Sequence, residues 1–361
     1  MEIKNSKRNL GIDLFRIFSM LMVVILHILT KGGLAESAEP NSLNFYVVNF
    51  MKTASFCAVN CYAIISGYVG LQSRHRPANL AMLWLQVAFW SILITLIMHF
   101  SLVPTNIVFF AKSFLPVTGE MYWYFTSYFA MWFFIPFMNA AIDNLPKRKA
   151  GIYLIVSGLI LLSISFYKDR FYLNQGYSCL WLCYLYLIGA YISKHKLFIN
   201  VSAIKSLLVY FSCALITFCY TIFLPTLSNI IPLITYISPI NVIASISLLV
   251  FFINLKISDE HSKIITTVSS VSFGVYLIHT HPVIFDHLFF NAFSFLAYKS
   301  PIFLILGIVA CALSIFITCA FVDYIRLWLF KILKIKQLLN IIFNWAEKCL
   351  NALTKHFSKS S

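Results

Sequence analysis

Apolar residues run through this chain in unbroken stretches, not in alternation with polar ones. Ten stretches recur, at residues 12–30, 47–68, 80–103, 121–142, 151–166, 177–193, 206–224, 239–254, 271–290 and 303–324, with short polar connections between them. A hydrocarbon layer of about 30 Å needs about twenty residues of helix rising about 1.5 Å each. Backbone groups in lipid must be paired internally, so a span is either a helix or a strand of a closed barrel. Continuous runs select the helix. The pattern predicts an all-α membrane protein of about ten transmembrane helices, one domain covering residues 1–325.

Composition agrees: 60% of residues are hydrophobic and only 11% charged, which excludes a soluble globular domain of this length. The net charge of +15 does not point to nucleic acid, because the cations sit in the connections. With the N-terminus inside, twenty of the 27 Lys and Arg residues fall on inner segments and five on outer ones. That bias orients the bundle with both termini cytoplasmic. The basic stretch from Lys4 to Arg8 precedes the first run without a cleavage site and reads as the flank of an uncleaved span. Residues 326–361 mix Trp328, Phe330, Leu339 and Trp345 with lysines, the pattern of a basic amphipathic helix lying on the lipids of the inner leaflet. The nine cysteines lie mostly inside apolar runs. Cys57/Cys61 and Cys179/Cys183 are each one helical turn apart, but no further ligands stand near them, so they read as packing thiols and no metal is expected.

Ionisable residues inside a span are costly and mark function by default. The first span holds Asp13, Arg16 and His27. Asp13 and Arg16 are neighbours at i, i+3 and can pair. Eleven steps of about 100° bring His27 to within about 20° of Arg16, about 16 Å further along the axis. Ser19 shares that stripe. Arg16 stands near the cytoplasmic edge, where it can dock an anionic donor or snorkel to lipid phosphates. His27 lies too deep to snorkel; it suits a general base or an interhelical hydrogen bond. The ninth span adds Tyr276 and His279 on one face, with His281 pointing elsewhere and Pro282 set to kink the helix. Asn60, Ser66 and Gly67 suit close helix packing. Tyr122, Trp123 and Tyr124 form either an interfacial belt or a platform for sugar rings, with Glu120 beside them. Arg74, His75 and Arg76 make a basic inner connection, for donor phosphates or for topology alone. There is no P-loop, no G-x-S-x-G and no HExxH.

Four segments together resemble the membrane acyltransferase-3 family. GIDLFRIFSMLMVVILH is similar to its first helix, whose Arg-x10-His motif falls on Arg16 and His27. SGY at Ser66–Tyr68 resembles the end of its second helix. YWYFTSYFAMWFFIPFMN resembles its aromatic middle segment, and SFGVYLIH its late helix, with Tyr276 and His279. The resemblance implies a bacterial cytoplasmic (inner) membrane enzyme. It implies acetyl transfer from cytoplasmic acetyl-CoA to a hydroxyl of a cell-surface or lipid-linked saccharide such as an O-antigen. On that reading His27, Arg16 and His279 are catalytic, and Arg16, Asp13, Arg74 and Arg76 hold the acyl-CoA. Tyr276, Glu120, Trp123 and Tyr124 meet the glycan. Two rivals stand beside it. A transporter or flippase for a lipid-linked sugar or small molecule predicts repeated halves, which are not visible. A polysaccharide polymerase predicts large outer loops, whereas the longest here is under about twenty residues.

Overall fold

The computed structural model describes residues 8–167 and 169–357. Lys4, Lys7, Lys168 and Lys359, part of the loop-charge count, lie outside them. The described residues form sixteen α-helices, three short 3-10 turns and no strand. The first half contains α1 (Leu10–Leu29), α2 (Leu34–Ser37), α3 (Leu43–Ser55), α4 (Ala58–Gly70), α5 (Pro77–Ser101), α6 (Ile107–Phe114), α7 (Trp123–Asn144) and α8 (Lys147–Tyr167). The second contains α9 (Cys179–Lys194), α10 (Ala203–Phe223), α11 (Pro225–Ile230), α12 (Pro239–Ile253), α13 (Ser262–His279), α14 (Pro282–His287), α15 (Pro301–Ile332) and α16 (Ile335–Phe357).

Six helical segments among the described residues are long and apolar enough to cross a membrane: 10–29, 43–70, 77–101, 123–144, 203–223 and 301–332. Cys179–Lys194 and Pro239–Ile253 are apolar but shorter. Ten spans were expected, so the pattern placed helices correctly but treated them as more uniform than they are. The expected span 47–68 is two helices with a turn at Phe56 and Cys57 between them. The expected span 271–290 is shifted toward the N-terminus: α13 starts at Ser262 and ends at His279. Pro282 does not kink it but opens α14, a first-turn position where its missing N–H costs nothing.

The last long apolar helix, α15, runs past the expected boundary at residue 326. α15 continues through Arg326 to Ile332, and Arg326 is only 4% exposed. It is no tail cation: its guanidinium donates to Asp323 through Nε (2.7 Å) and Nη2 (2.8 Å). Asp323 also accepts from the Trp90 indole of α5 at 2.7 Å. The pair at i, i+3 neutralises itself, which hydropathy cannot register. The amphipathic segment starts later, in α16, where Leu338, Ile341, Ile342 and Trp345 form an exposed apolar stripe at helical spacing.

α1 is the hub, in contact with α3, α4, α12, α13 and α15. Phe15, Val24, Ile28 and Leu29 on it are fully buried. Its polar stripe therefore faces protein. α4 and α9 approach through glycine: a Cβ on Gly67 would sit 1.9 Å from the Tyr186 carbonyl oxygen, and one on Gly189 would sit 2.1 Å from that of Ile64. Small residues let membrane helices close to backbone contact. Gly67→Leu is expected to force the pair apart, beyond the 1–3 kcal/mol typical of overpacking. The check is the fraction of protein that stays monodisperse after detergent extraction, which should fall sharply while Ser66→Ala extracts normally.

Candidate functional site

The stripe on α1 opens into two cavities, one above the other. At the N-terminal end of the helix lies a cavity of about 370 Å³ lined by Arg8, Arg16, Arg74, His75 and Arg76, with Asn79 and Trp132. Three separate pieces of chain supply its cations: the lead into α1, α1 itself and the connection from α4 to α5. Asp13 does not line it. That carboxylate is 1% exposed and holds the arginines from behind, accepting from Arg8 at 2.6 and 2.7 Å, from Arg16 at 3.1 Å and from the Ser269 hydroxyl at 2.9 Å. The ion pair leaves Arg16 donors free for the cavity. His75 stacks on Trp132 with ring centroids 3.7 Å apart. Partial burial lowers the His75 pKa below the ordinary histidine value.

Further along α1 is a smaller chamber of about 70 Å³, lined by His27, Met20 and Val23 of α1 and by Trp123, Tyr177, Tyr236 and Tyr276. Tyr62, Tyr124 and Phe273 line both spaces and form the constriction between them. Tyr62 is fixed there by donating to the Arg16 carbonyl oxygen at 2.9 Å. One continuous face thus leads from a cluster of cations, past three aromatic rings, to an imidazole.

His27 meets His279 across the α1–α13 packing, Nδ1 to Nε2 at 2.9 Å. The other nitrogen of His279, Nδ1, lies 2.6 Å from the Val275 carbonyl oxygen. A carbonyl only accepts, so His279 Nδ1 carries the proton. For two neutral rings the rest follows: His279 Nε2 accepts and His27 Nδ1 donates. His27 Nε2 is left with its lone pair, on a half-buried ring that lines the chamber. In that arrangement His27 is held in one tautomer by a partner that the backbone orients. Phe285 packs edge-on against the other side of the His27 ring, centroids 5.0 Å apart.

The expected residues thus divide. Arg16, Arg74 and Arg76 share the basic cavity, and His27, Tyr276, Trp123 and Tyr124 share the chamber. His279 is 2% exposed and reaches the chamber only through His27. Glu120 is an exposed turn residue that lines neither space. Ser19 is buried away from both. Tyr122 is no interfacial residue; it is buried and donates to the Leu277 carbonyl oxygen at 2.9 Å. His281 is buried too, with Nε2 at 3.2 Å from the Thr95 hydroxyl. Sequence reasoning missed Tyr62, Trp132, Tyr177 and Tyr236 as lining residues, and read Arg8 only as a topological charge. A buried-side tyrosine in a chain with nineteen of them carries no distinguishing signal.

A family model described as an acyltransferase domain matches residues 9–321. No curated protein matches the chain. No solved structure matches it either.

Proposed function

From the premise that the chain belongs to this acyltransferase family over nearly its whole length, and is a membrane acyltransferase, we propose that it transfers acetyl from cytoplasmic acetyl-CoA to a saccharide hydroxyl. The family removes the transporter reading. The observation that carries the rest is the continuity from arginine cluster to free imidazole along α1. In this reading ten helical segments cross a bacterial inner membrane, both termini are cytoplasmic, and α16 lies on the inner leaflet.

Arg8, Arg16, Arg74 and Arg76 bind the phosphates of the donor, forked guanidinium groups being suited to that task. The pantetheine arm passes between Tyr62, Tyr124 and Phe273 and brings the thioester to His27. His27 Nε2 takes the proton of the sugar hydroxyl as its oxygen attacks the thioester carbon. The new C–O bond forms, the C–S bond breaks, and His27 returns the proton to the departing thiolate. His279 acts as a positioning residue, holding the tautomer and sharing the charge that His27 acquires. Tyr276 lines the chamber, and in this reading its hydroxyl donates to the developing oxyanion.

Arg16→Ala should raise KM for acetyl-CoA about tenfold to a hundredfold, the worth of a charged hydrogen-bond pair, with Arg16→Lys recovering part of it. Initial rates in membranes against acetyl-CoA concentration measure this; an unchanged KM removes Arg16 from donor binding. The reading as a whole is tested by mass spectrometry of surface glycans in hosts with the gene, without it, and with a His27→Ala copy. Acetyl groups should disappear in the last two. Glycans identical in all three strains refute the assignment.

A further inference from the structure

We propose that Tyr177 is the platform that holds the acceptor's sugar ring at the lip of the chamber, a subsite that rests on the acyl-transfer reading above. Tyr177 is 41% exposed, yet it lines the same chamber as His27. One ring thus faces both the surroundings and the base. Its position is not a by-product of core packing, because so much of it is uncovered.

The backbone is bent on purpose to put it there. Tyr172 (φ 52°), Asn174 (46°) and Gln175 (54°) all occupy the left-handed region, and Gly176 follows at 103°. Such a run of non-glycine residues persists only where the surroundings over-determine it, and such places cluster at ligand sites. Here the determinants are visible. The Asp169 carboxylate accepts from the backbone N–H groups of Leu173 (2.7 Å) and Asn174 (2.6 Å). The Gln175 carbonyl accepts from Tyr236 N at 3.1 Å. A Cβ at Gly176 would lie 2.5 Å from the Tyr236 Cβ, so only glycine fits. The result is a wall of three rings from three separate parts of the chain, with Tyr177 centred 4.5 Å from Trp123 and 4.9 Å from Tyr236. Tyr236 is in turn fixed from below, its carbonyl accepting from the buried Asn60 amide at 2.8 Å.

A pyranose has an apolar C–H face and a polar rim. Laid on Tyr177 and Trp123, it buries that face and leaves a rim hydroxyl to enter the chamber toward His27 Nε2. Tyr177 is the partly exposed ring of the chamber lining, so a sugar laid on it sits at the lip. The donor approaches from the opposite, arginine-lined end. Acceptor and donor affinities are therefore separable.

The test uses membranes containing wild type, Tyr177→Ala, Tyr177→Phe or Asp169→Ala at matched protein levels. The probes are labelled acetyl-CoA and the host's own surface polysaccharide, stripped of acyl groups by mild base. Tyr177→Ala should raise KM for the polysaccharide about tenfold, one good aromatic contact, and leave KM for acetyl-CoA unchanged. Tyr177→Phe, which keeps the ring, should restore most of the affinity. Asp169→Ala, which releases the loop without touching the ring, should move the acceptor KM in the same direction as Tyr177→Ala. An unchanged acceptor KM in Tyr177→Ala, or equal rises in both constants, overturns the subsite while leaving acetyl transfer standing. Absence of transfer by the wild type overturns the saccharide reading, and the subsite with it.

Discussion

His27→Ala is expected to abolish acetyl transfer while the protein inserts and accumulates as the wild type does. General-base catalysis contributes about 10²–10⁴-fold, and no other imidazole lines the chamber. The ring is half-buried and its Nε2 serves no structural bond, so its removal leaves few groups stranded. His279→Ala should act differently. It leaves His27 in place but removes the acceptor for Nδ1–H, so the tautomer with a free Nε2 is no longer enforced. The expected result is a fall in kcat with both KM values near normal, and a changed pH–rate profile for the residual activity. Transfer from labelled acetyl-CoA in membranes, normalised to protein by immunoblot, measures both. Near-normal rates for His27→Ala would discard the base assignment.

The largest expected loss of stability comes from Asp323→Ala. Asp323 is fully buried and receives Arg326, Trp90 and two contacts at 3.4 Å from the Gln86 amide. Its removal strands a guanidinium in the interior, and breaking a buried pair from one side costs about 3–5 kcal/mol. α13 packs against the same place, since a Cβ on Gly274 would meet the Asp323 Cγ at 2.1 Å. The detergent-solubilised variant should therefore aggregate at a markedly lower temperature. Replacing both partners with apolar residues, Asp323→Leu with Arg326→Met, should recover much of the loss, because no charge is then left alone. A double variant no better than Asp323→Ala would show that this cluster needs its polar bonds and not merely charge balance.

Much of this was legible in the sequence. Helical periodicity alone put Arg16 and His27 on one stripe of α1, and Tyr276 with His279 on one face of α13. What periodicity cannot give is contact between distant segments. His27 and His279 are 252 residues apart, and only the packing of α1 on α13 makes them a pair. Arg326 was misread for a related reason: a hydropathy window sums charges and does not see that Asp323 cancels one. Tyr177 escaped because its role depends on φ angles in the preceding turn. Asn174, Gln175 and Gly176 are ordinary loop residues until their conformation is known. The basic cavity was half visible, since Arg74 and Arg76 stood out as cations but Trp132 lay unmarked in an aromatic-rich run.

The Tyr62, Tyr124 and Phe273 constriction matters for a quantity other than catalysis. A site served from two compartments is a potential short circuit in a membrane that stores energy as voltage, where each elementary charge crossing 100 mV dissipates about 2.3 kcal/mol. Here the two spaces share three aromatic rings as lining, and in the proposed reading those rings stand between the donor side and the acceptor side. In that reading a donor arm threading these rings would fill the gap with its own bulk. On the proposed reading, an acyl group is expected to pass between two aqueous phases without ions following it.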